Sequence, residues 1–331
     1  MFEMGAYNVF SKPTTRSATA KWKESCVFKI TGPVSWFEVN IEAILTESGT
    51  AEGTITGFVS NGIETVVVKI GSSVLYTVYG GEETDYSTGH GCLGEINRFL
   101  FGYSFYQTGY TLAKGSTTTV SGNFKLPFWQ PDASNKDITV EINMRAVADY
   151  TANGAMTYTS DQIDIEAYYV SLCPKIYYQT LEKTGIVATT EQNLSIDNAE
   201  QYKAFAIVFA YTQSSAYEDH ITRIKLTDQG GQNHGEWTRN GTVKDAVEHG
   251  GFIAQNSAVA RVFAEKNEGC YACKVPQPVQ IQNLKMKITP NSSASAGIIH
   301  GILFGVSGGA PVMGRPSVQP ASSTPEPAKS K

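Results

Sequence analysis

A chain of 331 residues, 41% of them apolar, is long enough to bury one or two large cores and excludes an intrinsically disordered protein. Its net charge of −5 supplies no basic field for nucleic acid, and only 17% of its residues are charged, against about a quarter in an average globular protein. Few charges with many Tyr (17) and Phe (15) suit a molecule that covers much of its own surface with partners, although a β-rich enzyme with long Thr/Gly loops has the same composition.

Residues 1–23 read as a polar arm. Lys12, Arg16, Lys21 and Lys23 stand beside apolar Phe2, Met4, Tyr7, Val9 and Phe10, a mixture suited to an interior-facing arm that meets an anionic bilayer or another subunit. The start Met1-Phe2-Glu3-Met4-Gly5 carries no apolar run of a cleaved leader, which points to synthesis and retention in a reducing cytoplasm. No stretch approaches the ~20 apolar residues of a membrane-spanning helix.

From Val27 strand patterns dominate. Phe37, Val39, Ile41, Ala43 and Leu45 alternate with Glu38, Asn40, Glu42 and Ile44, the period of a half-buried antiparallel strand. The same alternation returns at Ile138–Ala146, at Ile163, Ile165 and Ala167, and at Leu284, Met286 and Ile288. Ala204–Tyr211 is the most apolar run and its length suits a fully buried strand. Turn signals separate these segments: Thr31-Gly32-Pro33, Ser60-Asn61-Gly62, Gly80-Gly81, Asn153-Gly154, Gly230-Gly231 and Asn240-Gly241. Such spacing, with few helices, predicts all-β sandwiches or barrels rather than a parallel α/β fold.

The chain also repeats itself. Phe124-Lys125-Leu126-Pro127 and Cys273-Lys274-Val275-Pro276 lie nearly half the chain apart, and each precedes an alternating strand, at Ile138–Ala146 and at Ile281–Ile288. A helix-like stretch precedes each tetrad, at Leu93–Phe101 and at Thr242–Phe263. Two copies of one β-rich unit are expected, with these strands equivalent. The expected division is an arm over 1–23, a first unit over 24–172, a second over 173–310 and a disordered Pro-rich tail over 311–331, carrying Pro311, Pro316, Pro320, Pro325 and Pro327. The boundary falls near Cys173–Gly185, a short connection that packs the units side by side, and a strand over Ile186–Ile196 opens the second.

Catalytic patterns are weak throughout. Five dispersed cysteines do not make a disulfide framework, and Cys270-Tyr271-Ala272-Cys273 lacks a second ligand pair, with His234 and His249 too far apart to supply one. Gly89-His90-Gly91 reads as a loop. Asp164 and Glu166 share a strand face near Asp161, which allows a two-carboxylate glycosidase but fits a solvated sheet face better. Glu82, Glu83 and Asp85 form an acidic loop with hard oxygen ligands for Ca²⁺. Asn193, Asn240 and Asn291 begin glycosylation triplets that a cytosolic chain does not use. No catalytic, cofactor-binding or metal residue is assigned, and no cofactor.

The stretch Thr118-Thr119-Val120-Ser121-Gly122-Asn123-Phe124-Lys125-Leu126-Pro127-Phe128, followed by Ile138–Ala146, resembles the first barrel of the double jelly-roll major capsid proteins. These belong to tailless icosahedral bacteriophages with an internal membrane, such as the Flavobacterium lipid phage, in the lineage of adenovirus hexon. The resemblance spans about residues 24–308 and implies two tandem eight-stranded antiparallel jelly rolls with short helices in loops. It further implies a non-enzymatic virion protein that forms pseudo-hexagonal homotrimers in an icosahedral shell. Its partners would be its own copies, penton or minor capsid proteins and the internal lipid membrane, with no sequence-specific nucleic acid. Two other readings fit the aromatic content: a β-sandwich carbohydrate-active protein, glycosidase or lectin, stacking sugars on Trp22, Trp36, Trp129 and Trp237, and a phage spike or receptor-binding module.

Overall fold

The computed structural model describes residues 4–18, 20–55, 57–59, 61–80, 92–101, 110–152, 155–170, 172–173, 175–197, 202–212, 221–238, 270–275, 284–290, 298–307 and 312–313. The sequence is dominated by period-two alternation, and the fold is built from antiparallel strands accordingly. The first eight long strands are β1 (Met4–Ala18), β2 (Trp22–Lys29), β3 (Trp36–Glu47), β4 (Ile63–Ile70), β5 (Ser73–Tyr79), β6 (Thr117–Pro127), β7 (Asp137–Met144) and β8 (Met156–Val170). They form two four-stranded sheets, in the orders β1-β8-β3-β6 and β2-β7-β4-β5.

The next eight are β9 (Ile176–Lys183), β10 (Gln192–Ser195), β11 (Tyr202–Thr212), β12 (Ile221–Thr227), β13 (Asn233–Thr238), β14 (Cys270–Val275), β15 (Lys285–Pro290) and β16 (Ile298–Ser307). Their sheets run β9-β16-β11-β14 and β10-β15-β12-β13. Adding eight to each strand of the first pair of sheets gives the second pair, so the molecule is two eight-stranded jelly rolls of identical topology.

Register agrees with topology. Phe124 and Leu126 of β6 pair with Val39 and Phe37 of β3, while Cys273 and Val275 of β14 pair with Ile207 and Phe205 of β11. The two tetrads thus occupy equivalent places, as do β7 and β15, although Pro276 and residues 281–283 lie outside the described residues. Even irregularities repeat. Pairing slips between Ile63 and Thr65 opposite Met144 and Asn143, and between Ile221 and Arg223 opposite Pro290 and Thr289. A second slip falls between Val68 and Lys69 and between Leu226 and Thr227. Bulges are specific local features, so two shared bulges are strong support for duplication. Gly71 (φ +60°) and Gly231 (φ +82°) occupy the β4–β5 and β12–β13 turns, where a side chain would be strained.

The alternating apolar residues make the core. Phe37, Val39, Ile41 and Leu45 from one sheet join Ile138, Val140, Ile142 and Met144 from the other in a single buried cluster, each such side chain worth about 1.5–3 kcal/mol. Helix α1 (Cys92–Phe101) lies where a helix is expected, in the β5–β6 connection, with Leu93 and Ile96 in that cluster. The second expected helix, 242–263, lies outside the described residues.

Three expectations change. Residues 4–18 are not an arm but the edge strand β1, paired with β8 along most of their length. A bulge between Asn8 and Phe10 breaks the alternation, and Tyr7, Val9 and Phe10 all pack on the core. The three lysines meet partners within the unit: Lys12 bonds Glu24 (2.7 Å), Lys21 bonds Glu64 (2.7 Å) and Lys23 bonds Glu141 (2.9 Å). The strand expected over Ile186–Ile196 is confined to Gln192–Ser195, because Gly185 and Thr189 adopt positive φ and turn the chain; β9 opens the second set of strands instead. Finally, Val312–Met313, assigned to the tail, pairs with Leu172–Cys173, while residues 314–331 lie outside the described residues.

Candidate functional site

The two barrels meet along a seam made by a sheet edge and a sheet face. Strand β5 is an edge strand, with backbone groups that its own sheet leaves unpaired. The Thr180 hydroxyl on β9 takes them up: it accepts from the Thr77 N–H (2.9 Å) and donates to the Thr77 carbonyl (3.5 Å). Nearby the Tyr79 hydroxyl donates to Glu182 (3.1 Å).

Aromatic rings fill the apolar part of the seam. Tyr76 packs on Tyr178 with ring centroids 4.9 Å apart, and Tyr178 meets Phe304 edge-on at 5.6 Å. The Tyr76 hydroxyl donates to the Pro127 carbonyl (2.7 Å), and full burial holds its pKa well above the usual phenol value. At the chain crossing, the Ile176 N–H donates to the Trp129 carbonyl (3.1 Å), the Gln130 amide donates to the Ile176 carbonyl, and Lys175 pairs with Asp132 (2.5 Å). Ile302 and Phe304 of the second barrel belong to the buried cluster of the first.

Helix α1 extends this contact across the outer face of the β9-β16-β11-β14 sheet, lying against β11, β14 and β16. Covering on both sides explains a sequence pattern. Ile302, Leu303 and Phe304 are buried in succession, as expected of a strand with no solvated face. In β8 burial alternates instead, with Ile163, Ile165 and Ala167 buried between partly exposed Gln162, Asp164 and Glu166.

The equivalent face of the first barrel, on β1-β8-β3-β6, carries polar side chains that stay partly exposed among the described residues, with Phe101 of α1 against Trp36 at one end (5.8 Å). Asn40, Glu42, Ser121, Asn123, Gln162 and Asp164 line a groove of about 670 Å³ there. Gln162 donates to Ser11 (2.9 Å) and to Asp164 (3.0 Å), and Asn123 donates to Glu38 (3.1 Å). The Tyr168 hydroxyl donates to Glu166 (3.0 Å); burial, then that carboxylate, pushes its pKa up to about 12. Sequence reasoning placed Asp164 and Glu166 together on one solvated strand face, as found, but did not join them to Asn40 and Glu42 of β3, whose signal was the polar half of the β3 alternation.

The other candidate residues do not converge. Asp161 is buried on the inner side of β8, opposite Asp164 and Glu166, so the three carboxylates straddle the sheet. Cys270 and Cys273 both lie on β14. His234 lies on β13, and Asn193 is exposed on β10. Glu82, Glu83, Asp85, His90, His249, Asn240 and Asn291 lie outside the described residues. Among the described residues no group of three or more His, Cys, Asp or Glu could hold a metal ion, and no helix is long and apolar enough to cross a membrane. Three tryptophans are engaged internally: Trp22 edge-on with Tyr158, Trp36 stacked on Tyr168 (5.2 Å), and Trp129 stacked on Phe101 (6.1 Å). Trp237 lies on β13.

No known family profile and no curated protein matches the sequence. Solved structures do match. The major capsid protein (MCP) of STIV is 10% identical, with a TM-score of 0.59 over 92% of this chain and 97% of that one. A chain of the atomic structure of Sulfolobus Turreted Icosahedral Virus is 11% identical, with a TM-score of 0.60 over 92% and 91%. VP54 of PBCV-1, fitted into a reconstruction of the virophage Sputnik, is 10% identical, with a TM-score of 0.53 over 95% and 97%. The likeness is one of fold: this chain has the double jelly-roll architecture of these viral proteins.

Proposed function

We propose that this chain is a viral major capsid protein, a structural and non-enzymatic subunit that self-assembles into the shell of a virion. The observation that carries the reading is the two-barrel architecture itself. Both barrels have the same strand order, are locked side by side by the β5–β9 seam, and align over nearly the whole chain with the STIV capsid protein. Rigid coupling of two barrels suits a tile, because a tile must keep its shape while its outer surfaces make contacts.

In its finer form the proposal is a homotrimer of six barrels with a pseudo-hexagonal outline. Such trimers tile an icosahedral shell over an internal membrane, beside penton or minor capsid proteins, after synthesis in the host cytoplasm of an infected bacterium. The first barrel comprises the chain up to Val170 and the second begins at Ile176. The sequence resemblance and the sixfold-compatible doubling support this form.

The test is the size and outline of the purified full-length protein. Light scattering after gel filtration should give three times the 35.9 kDa chain mass. Negative-stain images should show hexagonal particles or sheets of them, and purified virions should contain the chain as a shell protein. A stable monomer that turns over or binds glycans would overturn the reading.

A further inference from the structure

The β9-β16-β11-β14 face of the second barrel is closed by α1 and the β5 edge. The equivalent face of the first barrel is met, among the described residues, only at the Trp36 end by Phe101. On β3, β6 and β8 this face carries Glu38, Glu42, Asp164 and Glu166 against one lysine, Lys125. Tyr168 bonds Glu166, and Asn123 and Lys125 engage Glu38. Asn40, Glu42 and Ser121 line the groove and make no hydrogen bond or ion pair within the described residues. The groove therefore has unused hydrogen-bonding capacity and a negative field.

Residues 314–331 lie outside the described residues, but the place where they start is fixed. Met313 pairs with Leu172 and Val312 with Cys173, antiparallel, two residues beyond the end of β8 at Val170. The chain therefore leaves Met313 heading back toward β8 and its acidic face. Asp164 lies eight positions before Leu172, a span of about 26 Å along a strand. Eighteen residues remain after Met313, enough to reach about 56 Å when extended.

The composition of this segment complements the groove. It carries Arg315, Lys329 and Lys331 against one acidic residue, Glu326. Pro316, Pro320, Pro325 and Pro327 favour extended backbone without internal hydrogen bonds, which lowers the entropy lost on docking. Its carbonyls are then left to the amides of Asn40, Asn123 and Gln162 and to the Ser121 hydroxyl, and its cations to Glu42 and Asp164.

We infer that residues 314–331 form a strap that lies over the acidic face of their own first barrel and seats Lys329 and Lys331 at Glu42 and Asp164. Tethering makes the contact intramolecular, so a weak site is filled by high local concentration. Its chemistry is electrostatic at a partly exposed surface, so salt loosens it. The strap makes access to this face conditional: closed at low salt, and opened by salt, by cleavage of the tail or by a competing basic segment. The inference goes beyond the shell reading and does not depend on it.

The experiment is carboxylate footprinting with a carbodiimide and glycine ethyl ester, read by peptide mass spectrometry at low and high salt. Full-length wild type is compared with a chain ending at Met313 and with full-length Arg315→Glu/Lys329→Glu/Lys331→Glu, and circular dichroism monitors folding. At low salt Glu42 and Asp164 should label about fivefold more slowly in wild type than in either variant, and high salt should remove the difference. Asp137, exposed on the other sheet of the barrel, should label alike in all three. The charge-reversed chain keeps its full length and carries the test if truncation prevents folding. Protection should persist on dilution. In a mixture of isotope-labelled and unlabelled wild type, carbodiimide crosslinks from Lys329 or Lys331 to the face should join residues of the same copy. Equal labelling of folded wild type and variants overturns the strap. Protection that fades on dilution, with crosslinks between copies, also overturns it and gives the face to a second chain. Neither result touches the shell reading, whose test is particle size and outline.

Discussion

Asn97 closes the open edge of β6 at Lys125. Its side-chain amide donates to the Lys125 carbonyl (3.0 Å) and accepts from the Lys125 N–H (2.7 Å), as a neighbouring strand would, and it also donates to the Leu93 carbonyl one helical turn back (2.8 Å). One buried residue thus fixes α1 to its own barrel while the helix reaches across to the next. Asn97→Ala leaves buried backbone groups without partners and should destabilise the fold by about 2 kcal/mol. Asn97→Asp keeps the acceptor but puts a second acceptor against the carbonyls, and should cost at least as much. Urea denaturation of the purified variants measures both.

The aromatic seam sets the coupling between barrels. Phe304→Ala removes a buried ring beside Tyr178 and should cost about 3–5 kcal/mol. The loss falls on the contact between barrels, so calorimetry should show one transition for wild type and a broadened or split one for the variant. A sharp single transition with unchanged midpoint would contradict the role given to the seam.

Thr180→Val is nearly isosteric and removes only the hydroxyl that satisfies the β5 edge. It should cost about 1 kcal/mol. Thr180→Ser, which keeps the hydroxyl, should recover most of that loss, and the pair of melting curves separates hydrogen bonding from packing.

Glu141 on β7 bridges Lys69 (2.6 Å) and Lys23 (2.9 Å), and these bonds, the one from Lys69 foremost, hold its pKa below the usual 4.5. A carboxylate depressed in the folded state contributes stability that is full above its unfolded pKa and is lost as pH falls through the folded one. Glu141→Gln should therefore cost about 1 kcal/mol at pH 7, a modest figure because Lys23 is half exposed. The difference from wild type should shrink below pH 4.5 and close in stronger acid. Denaturation midpoints at neutral and acid pH check the sign.

The Leu172–Met313 pairing gives the last described residues a structural use. A chain ending at Met313 should melt like the full-length protein, whereas one ending at Gly309 loses this two-residue bridge and should melt a few degrees lower.

Much of this architecture was legible in the sequence because it is local. Period-two alternation located β3, β7, β8 and β15, and the paired tetrads located the duplication, since a tetrad at the end of β6 or β14 needs no partner to be recognised. Helix α1 was legible for the same reason. Strand β1 was not: its bulge at Val9 breaks the period, and the partner of its lysine, Lys12, is Glu24 on the next strand, which only folding brings beside it. The run Ala204–Tyr211 announced a strand without a solvated face, but no residue in it says what covers that face. That depends on which sheet edge comes to rest there, a contact between segments more than 100 residues apart. Sequence by itself therefore determined two copies of an all-β unit and the polar or apolar character of each strand face. Only the tertiary structure decided that the apolar face is closed by the chain's own first barrel, because edge-to-face pairing is set by long-range packing and not by any local pattern.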